Sequence, residues 1–181
     1  MDDRPFPLLG RRRIARSSFL TFEREHRWAP DGSGVRREVV RHPGSVVVVP
    51  WDGTHVHALR QYRAPVDAVV LELPAGKLDV RDEPPAQTAI RECVEEIGMR
   101  PERVRLLQQC WISPGFTDEY TSIFLAEGLE TVPSDPQGAE ELHAEMVRLD
   151  PDEVEALLDE GGLRDATTII GLMALLRHLE R

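Results

Sequence analysis

The stretch GKLDVRDEPPAQTAIRECVEEIGM, Gly76 to Met99, decides how the chain is read. Its second half places Glu92, Glu95 and Glu96 within five residues. Ala86, Ala89, Ile90, Cys93 and Ile97 recur at the spacing of an amphipathic helix with one buried stripe. Pro84 and Pro85 suit the first turn of such a helix, and Gly98 suits its C-terminal stop. The predicted helix spans about residues 84–97. On it the three glutamates stand at i, i+3 and i+4 and share a face. They also crowd the last turns, where the helix dipole is negative and disfavours anions. Arg91 offsets part of that charge. A hard divalent cation such as Mg²⁺ would resolve the rest, because it takes oxygen ligands and keeps positions open for water and phosphate.

Taken alone, three glutamates on one face read first as a solvated acidic surface. The rest of the stretch changes that reading. It resembles the Nudix box, in which a glycine, five residues, a glutamate and seven residues lead into Arg-Glu-U-x-Glu-Glu-x-Gly-U, with U aliphatic. Gly76, Glu83, Arg91, Glu92, Glu95, Glu96, Gly98 and Met99 stand at the fixed positions. Two departures occur. Six residues separate Gly76 from Glu83, and Cys93 takes an aliphatic position. The insertion falls in the loop before the helix, where it is tolerated, and a core-facing cysteine is a fair small hydrophobe.

Composition narrows the remaining options. The chain has 181 residues, 41% hydrophobic, with a formal net charge of −10. That is one domain, or one domain with an N-terminal appendage. No apolar run is long enough for a bilayer, and the N-terminus MDDRPFPLLGRRR lacks a signal pattern. A cytoplasmic protein without membrane contact is expected. Cys93 and Cys110 fall in apolar segments and imply no disulfide framework. The negative charge argues against nucleic-acid binding. The cluster Arg11-Arg12-Arg13 is read as a solvated strand instead of a nucleic-acid arm.

A coarse pass places strands within 11–28, 35–42, 45–51, 55–62, 68–73, 104–112, 120–126 and 143–149. Helices are expected from about 150–152 to 158 and over 166–179, and an acidic loop over 133–141. Residues 16–42 are read as a possible hairpin. Several strands, one central helix and terminal helices argue for an α+β fold, an α/β/α sandwich. This order is similar to the Nudix architecture, with a mixed central sheet. The division expected is an N-terminal β extension over 1–42 and a hydrolase domain over 43–181.

Three shorter motifs bear on substrate. They are Arg60-Gln61-Tyr62-Arg63, Glu72-Leu73-Pro74-Ala75-Gly76, and Ser113-Pro114-Gly115-Phe116-Thr117-Asp118-Glu119. Together, with Pro114 fifteen residues beyond Met99, they resemble the ADP-ribose pyrophosphatase branch. Other nucleotide sugars share much of the pattern. The resemblance implies a Mg²⁺- or Mn²⁺-dependent pyrophosphatase. Glu92 and Glu96 would be the main metal ligands, with the Ala75 carbonyl. Glu95 would be a further ligand or an orienting acceptor. Arg91 would hold the glutamates and Glu83 would buttress the loop. Arg63 would meet a substrate phosphate, or else form a surface ion pair, and Glu119 would meet the distal ribose. The general base would lie on the loop after the sheet, at Glu141, then Glu140, with Glu145 third.

In this branch the N-terminal extension resembles a strand region that crosses to a second subunit and helps build the adenine site, so a homodimer is expected. Trp28 would stack on adenine or serve packing, and Arg36, Arg37 and Glu38 would reach the nucleotide. A non-catalytic sensor of ADP-ribose is the alternative class. Such sensors tend to lose box glutamates and to carry a DNA-binding module, and neither holds here. His42, His55, His57 and His143 show no defensible metal spacing.

Overall fold

A computed structural model describes residues 5–180. The first four residues of the expected extension, and Arg181, lie outside them. The described residues form two compact units, one of residues 5–44 with Trp111–Tyr120, the other of Ser45–Cys110 with residues 121–180.

The first unit is an antiparallel meander of β1 (Leu8–Arg16), β2 (Thr21–Trp28) and β3 (Gly34–Arg41). The hairpin expected over 16–42 is the β2–β3 pair, and β1 adds a third strand. Leu8 to Arg16 carries no clean alternation of apolar and polar residues, so the sequence pattern does not bound it. The β2–β3 turn is set by Asp31, which accepts from the Ser33 N–H at 2.9 Å and from its hydroxyl at 2.7 Å, and by Gly32 at φ 81°. Segment 111–120 joins this unit through the Val40 N–H, which donates to the Phe116 carbonyl at 2.8 Å.

The second unit is built around β4 (Ser45–Pro50), the valine run. It lies in a mixed sheet with β7 (Ala75–Lys77), β9 (Tyr120–Thr131) and β8 (Met99–Trp111), ordered β7-β4-β9-β8. The strand β4 runs parallel to β9 and antiparallel to β7. A separate antiparallel sheet is ordered β10 (Glu145–Leu149), β5 (Val56–Arg63), β6 (Ala68–Glu72). One mixed central sheet was expected; the fold has the mixed sheet and this second one beside it. Successive strand residues point to opposite faces, and β4 uses both. Val46 and Val48 pack with Ala89, Cys93 and Ile97 of α1 (Pro85–Ile97). Val47 and Val49 pack with Leu172 and Leu175 of α4 (Ala166–Leu179) and with Val154 of α3 (Pro151–Asp159). A helix layer therefore covers each side of β4, which is why four consecutive valines are needed there.

Caps set the helix ends. Asp150 accepts from the Glu153 N–H while Glu153 accepts from the Asp150 N–H, a reciprocal capping box. Asp165 accepts from the Thr168 N–H at 2.7 Å. The helix α1 ends at Gly98, whose φ of 62° is left-handed. A Cβ there would also stand 2.8 Å from the Val132 carbonyl oxygen. No helix among the described residues is long and apolar enough to cross a membrane. Gly98→Ala is expected to destabilise the chain by roughly 1–3 kcal/mol in urea unfolding, through both strain and clash; an unchanged midpoint would mean that the helix end relaxes freely.

Candidate active site

The box helix α1 turns Glu92 and Glu96 inward. Glu92 is 8% exposed, and Glu96 is half-buried. Burial, with the nearby Glu95 and Glu141 charges and against the pull of Arg91, pushes the Glu92 carboxyl up to about 7. Burial and the Glu92 charge push Glu96 up to about 8, although the Ala75 N–H donates to it at 3.1 Å. Two carboxylates are thus held close together in a poorly solvated place. This costs stability and concentrates negative potential.

The neighbourhood is shaped to hold them. A Cβ on Gly76 would lie 1.9 Å from Glu92 Oε1, so only glycine lets that carboxylate occupy its position. Arg91 spans the acidic face. It meets Glu92 at 2.8 Å, Glu95 at 2.9 Å and Glu83 at 3.3 Å. Glu83 also accepts from the Thr88 hydroxyl at 2.8 Å. Burial opposes ionisation of Glu83, yet Thr88 and Arg91 keep its carboxyl below the usual range. Glu83 therefore ties the long loop to the first turns of α1, the part of the sequence that carries the extra residue.

Among the described residues no group of three or more His, Cys, Asp or Glu side chains converges as a metal cage. The set drawn from the sequence needs only two side chains, Glu92 and Glu96, with a backbone oxygen from Ala75. Two buried carboxylates beside the side-chain-free edge of Gly76 fit a hard divalent cation. Glu95 is turned to Arg91, as an orienting group would be.

The three acids named as candidate bases, Glu141, Glu140 and Glu145, stand in different surroundings. Glu141 lies in α2 (Ala139–Leu142), an unpredicted short helix within the acidic loop, and accepts from the Gln137 N–H at 2.6 Å. Its charge bears on both Glu92 and Glu96. Glu140 bears on Tyr62 instead. Glu140 and Glu145 line a separate cavity of about 470 Å³ with Arg60 and Tyr62.

Arg63 forms a bidentate pair with Glu72, at 3.0 Å through Nε and 2.6 Å through a terminal nitrogen. The pair lines a cavity of about 530 Å³ that also touches Ala75, Arg164 and Asp165. In the sequence Glu72 stands within the motif of residues 72–76 with no role of its own. An acid at the buried end of the apolar run Val69–Leu73 was the available signal. Arg164 was missed altogether, and nothing in its local sequence marks it.

The remaining candidates belong to the first unit. Arg37 and Glu38 line a cavity of about 380 Å³ with Glu25, Arg41, Trp111 and Phe116. Trp28, 47% exposed at the end of β2, is not among its lining residues. Arg36 is exposed on β3, and its carbonyl accepts from Arg37. Glu119 donates its N–H to the Thr117 hydroxyl, and its carboxylate stands 3.9 Å from His42.

The model of the NUDIX domain matches residues 41–169. The chain is 34% identical over 147 residues to the methanol dehydrogenase activator of Bacillus methanolicus, covering 81% of this chain and 79% of that one. It is 32% identical over 147 residues to ADP-ribose pyrophosphatase of Bacillus subtilis (strain 168), with the same two coverages. The crystal structure of an ADP compounds hydrolase superposes with a TM-score of 0.83 over 98% of this chain and 95% of that one. At 22% identity that likeness speaks for the fold.

Burial of Glu96 has a consequence for pH. Its carboxyl has an ordinary value of 4.5 and rises to about 8 in the folded chain. The folded state therefore binds this proton more tightly than the unfolded state does. The stabilisation is complete below the unfolded value and is lost as pH rises through the folded one. Metal-free Glu96→Gln is expected to melt above the parent chain at about pH 9, with the difference shrinking toward about pH 5. A melting point no higher than the parent's at the alkaline end would contradict the burial argument.

Proposed function

The chain belongs to the NUDIX family, and from that premise we propose that it hydrolyses the pyrophosphate of ADP-ribose to AMP and ribose 5-phosphate. The observation that carries the reading is the convergence of Glu92, Glu96 and the Ala75 backbone beside Gly76, with the charge of Glu141 reaching both carboxylates. Members of this family generally use divalent metal ions, and Mg²⁺ is the ion proposed here, with Mn²⁺ as a substitute.

Glu92, Glu96 and the Ala75 carbonyl would hold the ion. When bound, it would neutralise the diphosphate and lower the barrier to attack by water. The chain's own residues do the rest. Arg91 keeps Glu92 and Glu95 in place against their mutual repulsion. Arg63, pinned at two nitrogens by Glu72, presents the remainder of its fork to a phosphate oxygen. Glu141, on a short helix tethered at Gln137, takes the proton from the attacking water. Residues of the first unit, Trp28, Arg36, Arg37, Glu38 and Glu119, are assigned to the nucleoside and distal ribose. This unit is also proposed to pair two copies of the chain as a homodimer. A cytoplasmic location fits a substrate of this class.

Every acid of the box is present and oriented for a task, which favours an enzyme over a silent sensor. Glu141→Gln is expected to lower kcat by about 10²-fold or more while metal affinity is retained. Turnover near the parent's would pass the role to Glu140. A panel of ADP-ribose, ADP-glucose, GDP-mannose, NADH and 8-oxo-dGTP with Mg²⁺, read by product chromatography, tests the substrate. The highest kcat/KM is expected for ADP-ribose, and a higher value for GDP-mannose would move the assignment to another sugar nucleotide.

A further inference from the structure

A further cavity, of about 440 Å³, lies between β8 and α4. Its basic residues are Arg105 on β8 and Arg177 and His178 on α4, and Leu107, Ile170 and Met173 form its apolar floor. It is remote from the glutamates by construction. The strand β8 is the opposite edge of the sheet from β7, which carries Ala75. The helix α4 covers the Val47 and Val49 side of β4, whereas α1 covers the Val46 and Val48 side.

Its charge is unusual for this chain. The sequence carries ten more acids than bases, and the cavities beside Glu140, Glu72 and Asp52 each include a carboxylate. This one includes none. The acid that senses it, Glu127, accepts instead from Arg103 at 3.1 Å. Arg177 and His178 have an ordinary reason to sit on the last turn of α4, where cations offset the helix dipole. That does not explain Arg105. It comes from a strand 73 residues away in sequence and lies 3.0 Å from His178 Nδ1. A guanidinium only donates, so the imidazole accepts at Nδ1 and carries its proton on Nε2. Among the described residues neither Arg105 nor Arg177 forms a close ion pair with a carboxylate, although the Glu127 charge bears on Arg105 and His178.

We propose that this cavity is a binding site, separate from the catalytic glutamates, for a small phosphomonoester with a flat or apolar body. Two guanidinium forks suit the several oxygens of a phosphate dianion better than a single carboxylate. The Leu107, Ile170 and Met173 floor takes the body of the ligand. The volume is that of a small-molecule site.

AMP serves as the probe, with inorganic phosphate and adenosine as its two halves. The full chain, metal-free and labelled at its methionine methyl groups, is titrated with each and the Met173 signal is followed by NMR. A saturable Met173 shift is expected with AMP, weaker binding with phosphate, and none with adenosine. The AMP affinity at Met173 should fall by about tenfold or more in Arg105→Gln/Arg177→Gln, consistent with loss of charge-assisted hydrogen bonds. It should be unchanged in Glu96→Gln. A Met173 signal that does not move with AMP, adenosine binding as well as AMP does, or loss of the shift in Glu96→Gln would each overturn the proposal. The comparison of AMP with adenosine uses the parent chain, so it decides the matter even where the double variant is unstable.

Discussion

Two carboxylates held out of water beside one another set the terms for the rest of the molecule. Glu92 and Glu96 repel each other, lie on the last turns of a helix whose dipole opposes them, and are buried enough to raise both pKa values. Such an arrangement persists only where the surroundings over-determine it. Here α1 is anchored from below by Ala89, Cys93 and Ile97 packed on Val46 and Val48. From above, Arg91 binds three carboxylates at once, and the Ala75 N–H donates to Glu96. The bare Cα of Gly76 supplies the space. Removing any of these supports would let the glutamates relax toward solvent, where they would be more comfortable and less useful.

The scaffold brings distant segments to that point. Arg63 ends β5, Glu72 ends β6, Ala75 opens β7, and Glu141 follows the end of β9 by ten residues. Each lies at or near the end of an element, where the chain is free to vary while its neighbours stay fixed by the core. The tie between layers is specific as well. The Thr168 hydroxyl of α4 accepts from the Leu73 N–H at 3.0 Å, fixing the strand end that precedes Ala75. The close approach of α4 requires Gly171, where a Cβ would stand 2.7 Å from Leu73. One side of the mixed sheet thus carries the acidic chemistry of α1, and the other carries the arginine-lined cavity beside α4.

The N-terminal unit solves a different electrostatic problem. Glu25 is buried in β2, and its carboxylate is shared between Arg27 and Arg41. Arg41 also reaches Glu23 at 3.1 Å and Asp118 at 3.0 Å. Through that arginine the segment 111–120 is fastened to the meander, and a loop motif from late in the chain becomes part of a unit named by its N-terminus. An exposed tryptophan on each of the two segments, Trp28 and Trp111, leaves apolar surface on this unit.

The box helix, the valine strand, the terminal helices and the pairing of Glu92 with Glu96 were legible from residue order. Their signals are local: periodicity, capping residues, and carboxylates at i and i+4. The fold class followed from the same signals, and NUDIX membership bears it out. A strand at residues 11–13 was legible, but its extent over Leu8–Arg16 and its pairing as the third strand of the meander were not, nor were the short α2 and the second sheet, because each depends on contacts with other segments instead of on its own pattern. The sequence order already put Glu141 ahead of Glu140 and Glu145, but it gave no sign that the Glu141 charge bears on both Glu92 and Glu96, which depends on how α2 and α1 come together. Glu72 became the anchor of Arg63, and Arg105 the partner of His178, only through contacts across strands and layers. Short-range stereochemistry wrote the helices and their charged face into the sequence. Which charges meet, and which are left to face a cavity, was decided by how the sheet stacks segments far apart in the chain.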